Sequence, residues 1–523
     1  MAGSVAVRSF RMACPDPSPP VDPAGLPPRP ASAGGLPSGR ERERPGPGGR
    51  RAAWARLAGG LLAGAGLLTA AGAADLPPEV EAALRRARLP DSALVAVVQE
   101  LGSGHSALAW QPQEPVNPAS VFKLVTTYAA LDLLGPAWTW TTPVLAGGPI
   151  KDGVLEGPLV LQGSGDPTLV LERAWLMLNR LRQMGLREIR GDLLLDRSAF
   201  NLPETSPADF DGDATRPYNV RPDALLLNYK SVTYRFTPDP ARGVAVISAE
   251  PVLAGVPTDT SVALASGPCD DWRASLKASL ADPNRVRFEG RFPTSCGEKE
   301  WPVAYADPRS YGPRLLTQLW SDLGGRLSGT VREGSTPPGA RVLLQSGSPP
   351  LAAVVRDINK FSNNLMAEQL FLSLGQPGPD RPARPEGSRE LLRRWLLDRL
   401  GEASLRDWTL DNGSGLSREN RLTAQSLARL LTQAFHSPVM SELMSSLPIS
   451  GQDGTLRRST ATKGRAHLKT GSLRDVAAVA GYVLSNSGRR YVLVGILNHP
   501  QANAGRPALE ALIQWTIQDT PAR

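Results

Sequence analysis

Downstream of Pro118, apolar residues recur at Val121, Phe122, Val125, Tyr128, Ala129 and Leu133, a helical period that predicts a helix entered near residue 118 and running to residue 134. Before it, residues 93–99 are apolar almost throughout and predict a buried strand. Residues 105–110 predict its hairpin partner across the Gly102-Ser103-Gly104 turn. From residue 141 the texture changes, and short apolar runs alternate with Gly/Pro turns. Strands are expected at 159–161, 191–196, 232–236 and 244–247 and beside Cys269 and Cys296, helices at 171–184 and 314–323, and a polar, Pro-rich surface loop at 201–224. Residue 351 opens a helical stretch. Helices are expected at 351–360, 363–374, 390–400 and 423–434, with a linker at 376–388 and a turn at 411–418. The chain closes with strands at 467–470, 476–485 and 490–497, a turn at 486–488 and a helix at 507–517. No internal repeat is evident.

A chain of 523 residues can bury two or three domain cores. The segment 141–345 reads as one or two inserted domains, with a nested subdomain at about 225–303. The formal charge of +8 changes little once it is placed. Residues 1–56 hold nine Arg and four acids, so this leader carries +5 and the rest of the chain about +3. No basic-and-aromatic pattern of a nucleic-acid module accompanies it. Within residues 1–74, a Pro/Gly/Arg-rich tail precedes Arg50, Arg51 and Arg56, an apolar run at 57–70 and the small-residue site Ala71-Gly72-Ala73. That pattern predicts export with cleavage near Ala73 or Ala74, and hence a periplasmic or other extracytoplasmic location. An uncleaved anchor is the alternative. Cys14 lies in the leader. In an exported protein the remaining pair, Cys269 and Cys296, favours a disulfide closing a local loop over two free thiols, and with no histidine nearby zinc is disfavoured.

Ser120 and Lys123 are three apart, which puts both side chains on one face of the first helical turn. A serine hydroxyl needs a base to become a nucleophile, and a lysine stripped of its proton by burial and positive neighbours can be that base. Alone, Ser-x-x-Lys is equally an N-cap serine beside a solvated lysine. Two further short motifs change its meaning: Ser362-Asn363-Asn364 between two helices, and Lys469-Thr470-Gly471-Ser472 on the strand that begins the closing hairpin. Separately these read as a helix N-cap at Ser362 and a charged edge strand. In order they form the signature of serine acyl-transfer enzymes acting on D-alanyl peptides and β-lactams. A Ser-His-Asp hydrolase is disfavoured, because the chain has four histidines and no Gly-x-Ser-x-Gly elbow; His467 reads as a solvent-facing strand residue. No His-Glu-x-x-His cluster supports a metallopeptidase. A compact β-lactamase would carry a deacylating glutamate that the sequence does not locate. A non-catalytic, peptidoglycan-binding scaffold that keeps the motifs is the alternative from another class.

Over nearly all of residues 80–520 the chain resembles the class C penicillin-binding D-alanyl-D-alanine carboxypeptidase/endopeptidase family. The resemblance includes Gly163-Ser164-Gly165-Asp166-Pro167-Thr168, Asp411-Asn412-Gly413-Ser414-Gly415-Leu416-Ser417 and Leu447-Pro448-Ile449-Ser450-Gly451. It implies an α/β fold: a transpeptidase/β-lactamase-like domain, an antiparallel sheet with flanking helices, formed by 75–140 with 346–523. A long insertion of one or two smaller α+β domains would split it, and the gap from Lys123 to Ser362 matches. The resemblance also implies roles. Ser120 attacks, Lys123 is the base, and Ser362 sits between Lys123 and the leaving group and relays the proton. Asn364 steadies Lys123 and the substrate carbonyl. Lys469 supplies positive charge, Thr470 holds the terminal carboxylate, and the N–H groups of Ser120 and Ser472 form the oxyanion hole beside Gly471. The implied partners are peptidoglycan stem peptides ending in D-Ala-D-Ala and β-lactams. No metal and no cofactor are expected.

Overall fold

The computed structural model of the chain describes residues 75–376, 378 and 381–519. The expectations for the leader, the cleavage site and Cys14 lie outside the described residues. The chain begins with helix α1 (Pro78–Arg86), followed by strands β1 (Leu94–Glu100) and β2 (Ser106–Trp110). Sequence reading missed α1 because its buried stripe, Val80, Ala83 and Leu84, spans barely two turns. A 3-10 turn at Ala119–Phe122 leads into α2 (Lys123–Leu134), which ends at Gly135 with φ 81°. After the insertion come α3 (Leu351–Phe361), α4 (Asn364–Leu374), α5 (Pro385–Leu400), α6 (Ala424–Phe435) and α7 (Met440–Ser446). Helix α5 starts inside the stretch expected to be linker, since Pro385 occupies a first-turn position whose N–H would be unpaired anyway. Strands β3 (Ala466–Leu473), β4 (Val476–Leu484) and β5 (Arg490–Asn498) and helix α8 (Arg506–Ile517) complete the unit.

The five strands form one antiparallel sheet in the order β2-β1-β5-β4-β3. Side chains alternate across it. Val95, Val97, Ala478, Ala480, Val492 and Val494 face a core shared with α2, α3, α4, α5 and α6. Leu94, Ala96, Ala477, Val479 and Leu493 face a second core under α1 and α8. Helices thus cover both faces, which is why these strands read as continuous apolar runs and not as alternating ones. Strand β3, which carries the lysine motif, lies at the open edge.

Between α2 and α3, residues 141–347 build three larger sheets. One has the order Val331–Glu333, Leu193–Asp196, Leu159–Gln162, Thr141–Ala146, Arg341–Gly347. The second has the order Arg291–Pro293, Ser261–Ala265, Val244–Glu250, Ser231–Asp239, Lys299–Ala304, and the third contains four two-residue strands. Helices Leu171–Gln183 and Pro308–Asp322 share their core with both five-stranded sheets. Cys269 and Cys296 are joined by a disulfide that closes 27 residues. Residues 201–224 are mostly irregular, but their C-terminal end is not a surface loop. Asp223 is buried, bound by Lys230 Nζ (2.7 Å), and its N–H donates to Gln369 of α4 (2.9 Å). Gln369 Nε2 also donates to the carbonyl of Gly165 (3.1 Å), which ties the insertion to the helix that follows Ser362.

Candidate active site

Asn117 fixes the approach to the first motif. Its N–H donates to Asn498 Oδ1 on β5 (2.8 Å), its side-chain amide donates to the Ser417 carbonyl (2.8 Å), and its Oδ1 accepts the Ala119 N–H (2.9 Å). Ala119 then adopts a left-handed φ of 47°, which costs a non-glycine residue roughly 1 kcal/mol. A left-handed residue cannot belong to an α-helix. Ser120 therefore sits on a tight 3-10 turn, and the α-helix opens only at Lys123, a correction to the expected first α-helical turn. The two side chains still share a face, with Lys123 Nζ 2.9 Å from Ser120 Oγ.

Lys123 is fully buried. Burial pulls its amine down to about 7, and the charge of Glu368 opposes that fall. Besides Ser120, Nζ contacts two carbonyl oxygens, Asn364 Oδ1 (2.6 Å) and the Ser414 backbone (2.6 Å). Carbonyls only accept, so both hydrogens of a neutral amine are committed to them. In that neutral form the lone pair faces the Ser120 hydroxyl, the geometry a general base requires.

Ser362 ends α3 in a left-handed conformation, φ 57°. The N-cap of α4 is Asn363, whose Oδ1 accepts the Met366 N–H (3.0 Å), so the reading of Ser362 as a cap is overturned. With Asn363 used as the cap, Asn364 starts α4 with its side chain on Lys123. The partner of Ser362 Oγ is Lys469 Nζ (2.9 Å), not Lys123. Lys469 also donates to the Thr470 carbonyl (2.6 Å); burial first, and the Lys123 charge second, push its amine well below the usual lysine range. Gly471 lies against the turn that carries Ser120, where a Cβ would fall 2.7 Å from the Pro118 carbonyl. Thr470 Oγ1 donates to Thr455 Oγ1 (2.7 Å), and Ser472 Oγ accepts from Arg506 Nη2 (2.8 Å).

Ser120, Lys123, Ser362, Asn364, Lys469, Thr470, Gly471 and Ser472 are thus gathered where α2, the α3–α4 junction and edge strand β3 meet. The Cys269–Cys296 bridge belongs to the inserted core instead. His467 is half-buried, not solvent-facing, and burial lowers its imidazole. Sequence reasoning missed Asn117, Asn498, Thr455 and Glu368. Only Glu368 left a trace, as the single charged residue in a helix otherwise made of apolar, amide and one serine side chains. Among the described residues no group of three or more His, Cys, Asp or Glu could hold a metal ion, and no helix is long and apolar enough to cross a membrane.

A serine beside a buried lysine whose amine is lowered to about 7, with a second serine–lysine pair beside it, on a sheet covered by helices on both faces, is the constellation of an active-site-serine acyl-transfer enzyme. The chain belongs to the D-Ala-D-Ala carboxypeptidase 3 (S13) family, whose model matches residues 76–518. It is 30% identical over 483 residues to a D-alanyl-D-alanine carboxypeptidase of Actinomadura sp. (strain R39), covering 86% of this chain and 87% of that protein. Against the D-alanyl-D-alanine carboxypeptidase DacB of Haemophilus influenzae it is 25% identical over 395 residues, 73% of this chain and 80% of that protein. The fold matches the crystal structure of penicillin binding protein 4 (dacB) from Haemophilus influenzae, with a TM-score of 0.66 and 23% identity, over 83% of this chain and 99% of that one. The activity is that of a serine-type D-alanyl-D-alanine carboxypeptidase.

Proposed function

We propose that the protein removes the terminal D-Ala from peptidoglycan stem peptides ending in D-Ala-D-Ala, through an ester on Ser120, and that β-lactams trap the same ester. The observation that carries this reading is the buried Lys123 amine, 2.6 Å from each of two carbonyl oxygens and 2.9 Å from Ser120 Oγ, so that in its neutral form its lone pair faces the serine hydroxyl. Ser120 Oγ bonds to the penultimate D-Ala carbonyl carbon as its proton passes to Lys123. The C–N bond then breaks, and Ser362 hands a proton to the departing nitrogen and is resupplied from the lysine pair, Lys469 being its direct partner. Water hydrolyses the ester. Asn364 steadies Lys123 and leaves its amide N–H groups for the substrate carbonyl. A substrate carboxylate near Lys469 and Thr470 restores the charge that burial takes from Lys469.

The N–H groups of Ser120 and Ser472 are the proposed oxyanion hole. Support comes from β3 being the last strand of its sheet, bridged on its outer side to residues 448–450 at its start, where the Leu468 N–H donates to the Pro448 carbonyl (2.9 Å), but with no further strand beside residues 469–472 among the described residues, and from the close approach of Gly471 to the Ser120 turn. We assign catalysis to 75–140 with 346–523 and side-chain selection to the insertion, 141–345, with the 225–303 region nested in it. Action outside the cytoplasm follows from the substrate. Cleavage of cross-links, the endopeptidase activity, uses the same bond geometry with a longer leaving group. The test is release of D-Ala from a pentapeptide ending in D-Ala-D-Ala and from a cross-linked dimer, by wild type and Ser120→Ala. Release by wild type alone supports the reading, and equal release by the variant overturns it.

A further inference from the structure

Helix α4 is buried all round, and Glu368 lies in it, four residues after Asn364. The residue is only 8% exposed and lines, with Arg221, Arg389 and Asp411, a cavity of about 630 Å³. Its other side meets Ser414. Ser414 Oγ lies 2.9 Å from Glu368 Oε1 and 3.0 Å from Asn412 Oδ1, and it accepts the Leu416 N–H (3.1 Å). The carbonyl of the same Ser414 accepts from Lys123 Nζ. A serine hydroxyl has one hydrogen and cannot donate to both neighbours. If Glu368 is the neutral acid, it donates to Ser414, and Ser414 donates to Asn412. If Glu368 is ionised, Ser414 must turn its hydrogen toward it. The carboxyl and the amine that faces Ser120 are therefore joined through one residue.

We propose that Glu368 is a positioning residue for acylation, whose carboxyl sets through Ser414 how readily Lys123 exists as the free amine. This rests on the reading of Lys123 as the base. The groups that face Glu368 are Lys123 on α2, Arg221 at the end of the 201–224 segment, and Asp411 and Ser414 on the turn after α5. Those that face Lys123 are Glu368 and, from β3, Lys469. Burial raises the Glu368 carboxyl to about 7, in the range where Lys123 also titrates, so the two change charge together. Glu368 does not touch Ser120 and is not the water-activating glutamate of a β-lactamase. It acts from behind the base. An ionised Glu368 holds a proton on Lys123; a neutral one releases it.

The sign of the effect follows. Removing the carboxylate lowers the pKa of Lys123 and moves the rising limb of acylation to lower pH. The experiment measures the second-order rate of acylation by benzylpenicillin from pH 5 to 9 for wild type, Glu368→Gln and Glu368→Asp. The glutamine amide can donate to Ser414 as the neutral acid would, but it carries no charge. Its limb should be displaced to lower pH by up to about one unit, with up to tenfold faster acylation near and above neutrality, where wild-type Glu368 is ionised, and the two profiles should converge at the acidic foot, where Glu368 is already neutral. Glu368→Asp keeps a carboxylate and should return the limb toward wild type. A limb that stays in place in Glu368→Gln, whether or not the rate drops at every pH, overturns the proposal and leaves Glu368 a packing residue. Absence of any rising limb near neutrality in the wild type would instead remove Lys123 as the base. Should Glu368→Gln not fold, Arg221→Gln decides. Arg221 favours the ionised carboxylate, so its loss should move the limb in the same direction by a smaller amount, and an unmoved limb overturns the proposal.

Discussion

Gly415→Ala should disable acylation without unfolding the protein. Gly415 has φ 78° and packs on the nucleophile turn, so a Cβ there would lie 2.0 Å from the Ala119 carbonyl oxygen, 2.6 Å from its carbon and 3.1 Å from Ser120 Cα. The colliding atoms are backbone, and Asn117 anchors them to β5 and to Ser417, so no flexible side chain can yield. Restoring ordinary contact needs a shift on the order of 1 Å in the turn that presents Ser120, and misplacement on that scale costs about 100-fold in rate. The left-handed backbone adds roughly 1–2 kcal/mol of destabilisation. Gly488→Ala is the control: its φ is 85°, but nothing lies within 4 Å of the added Cβ. It should lose similar stability and label at the wild-type rate. The assay is the time course of fluorescent penicillin labelling, paired with a thermal melt of each variant. Wild-type labelling by Gly415→Ala would refute the claim that this glycine holds the nucleophile in place.

Two other perturbations separate the site from the scaffold. Lys469→Ala should cut D-Ala release strongly, because the Ser362 hydroxyl loses the Lys469 amine and the substrate carboxylate loses its cation; near-normal release would remove Lys469 from the site. Reduction of the Cys269–Cys296 bridge, which closes 27 residues, should cost about 3 kcal/mol of stability while leaving the acylation rate unchanged. A parallel fall in acylation would show that the insertion shapes the catalytic centre directly.

The sheet was legible in the sequence because helices cover both its faces, so β1, β4 and β5 appear as unbroken apolar runs. Helices α2, α3, α4, α5 and α6 were legible from their spacing. The short helices α1 and α7 were not, since two turns leave too few periodic positions. The three motifs could be read in order along the chain, but what joins them could not. The pairing of Ser362 with Lys469 depends on the placement of β3 at the sheet edge. The 3-10 turn depends on a positive φ at Ala119, a residue type that gives no warning of it. Glu368 and Ser414 acquire meaning only when α4 is laid against the 411–418 turn, because the two lie 46 residues apart in sequence.

Ser120, activated by Lys123, is the proposed site of acylation. Intact mass spectrometry of the purified protein before and after penicillin, followed by peptide mapping, tests it most directly. The expected result is a single adduct on the peptide containing Ser120 in the wild type and none in Ser120→Ala, with the variant's thermal unfolding nearly unchanged. An adduct that persists in Ser120→Ala, or that maps to another peptide, would contradict it.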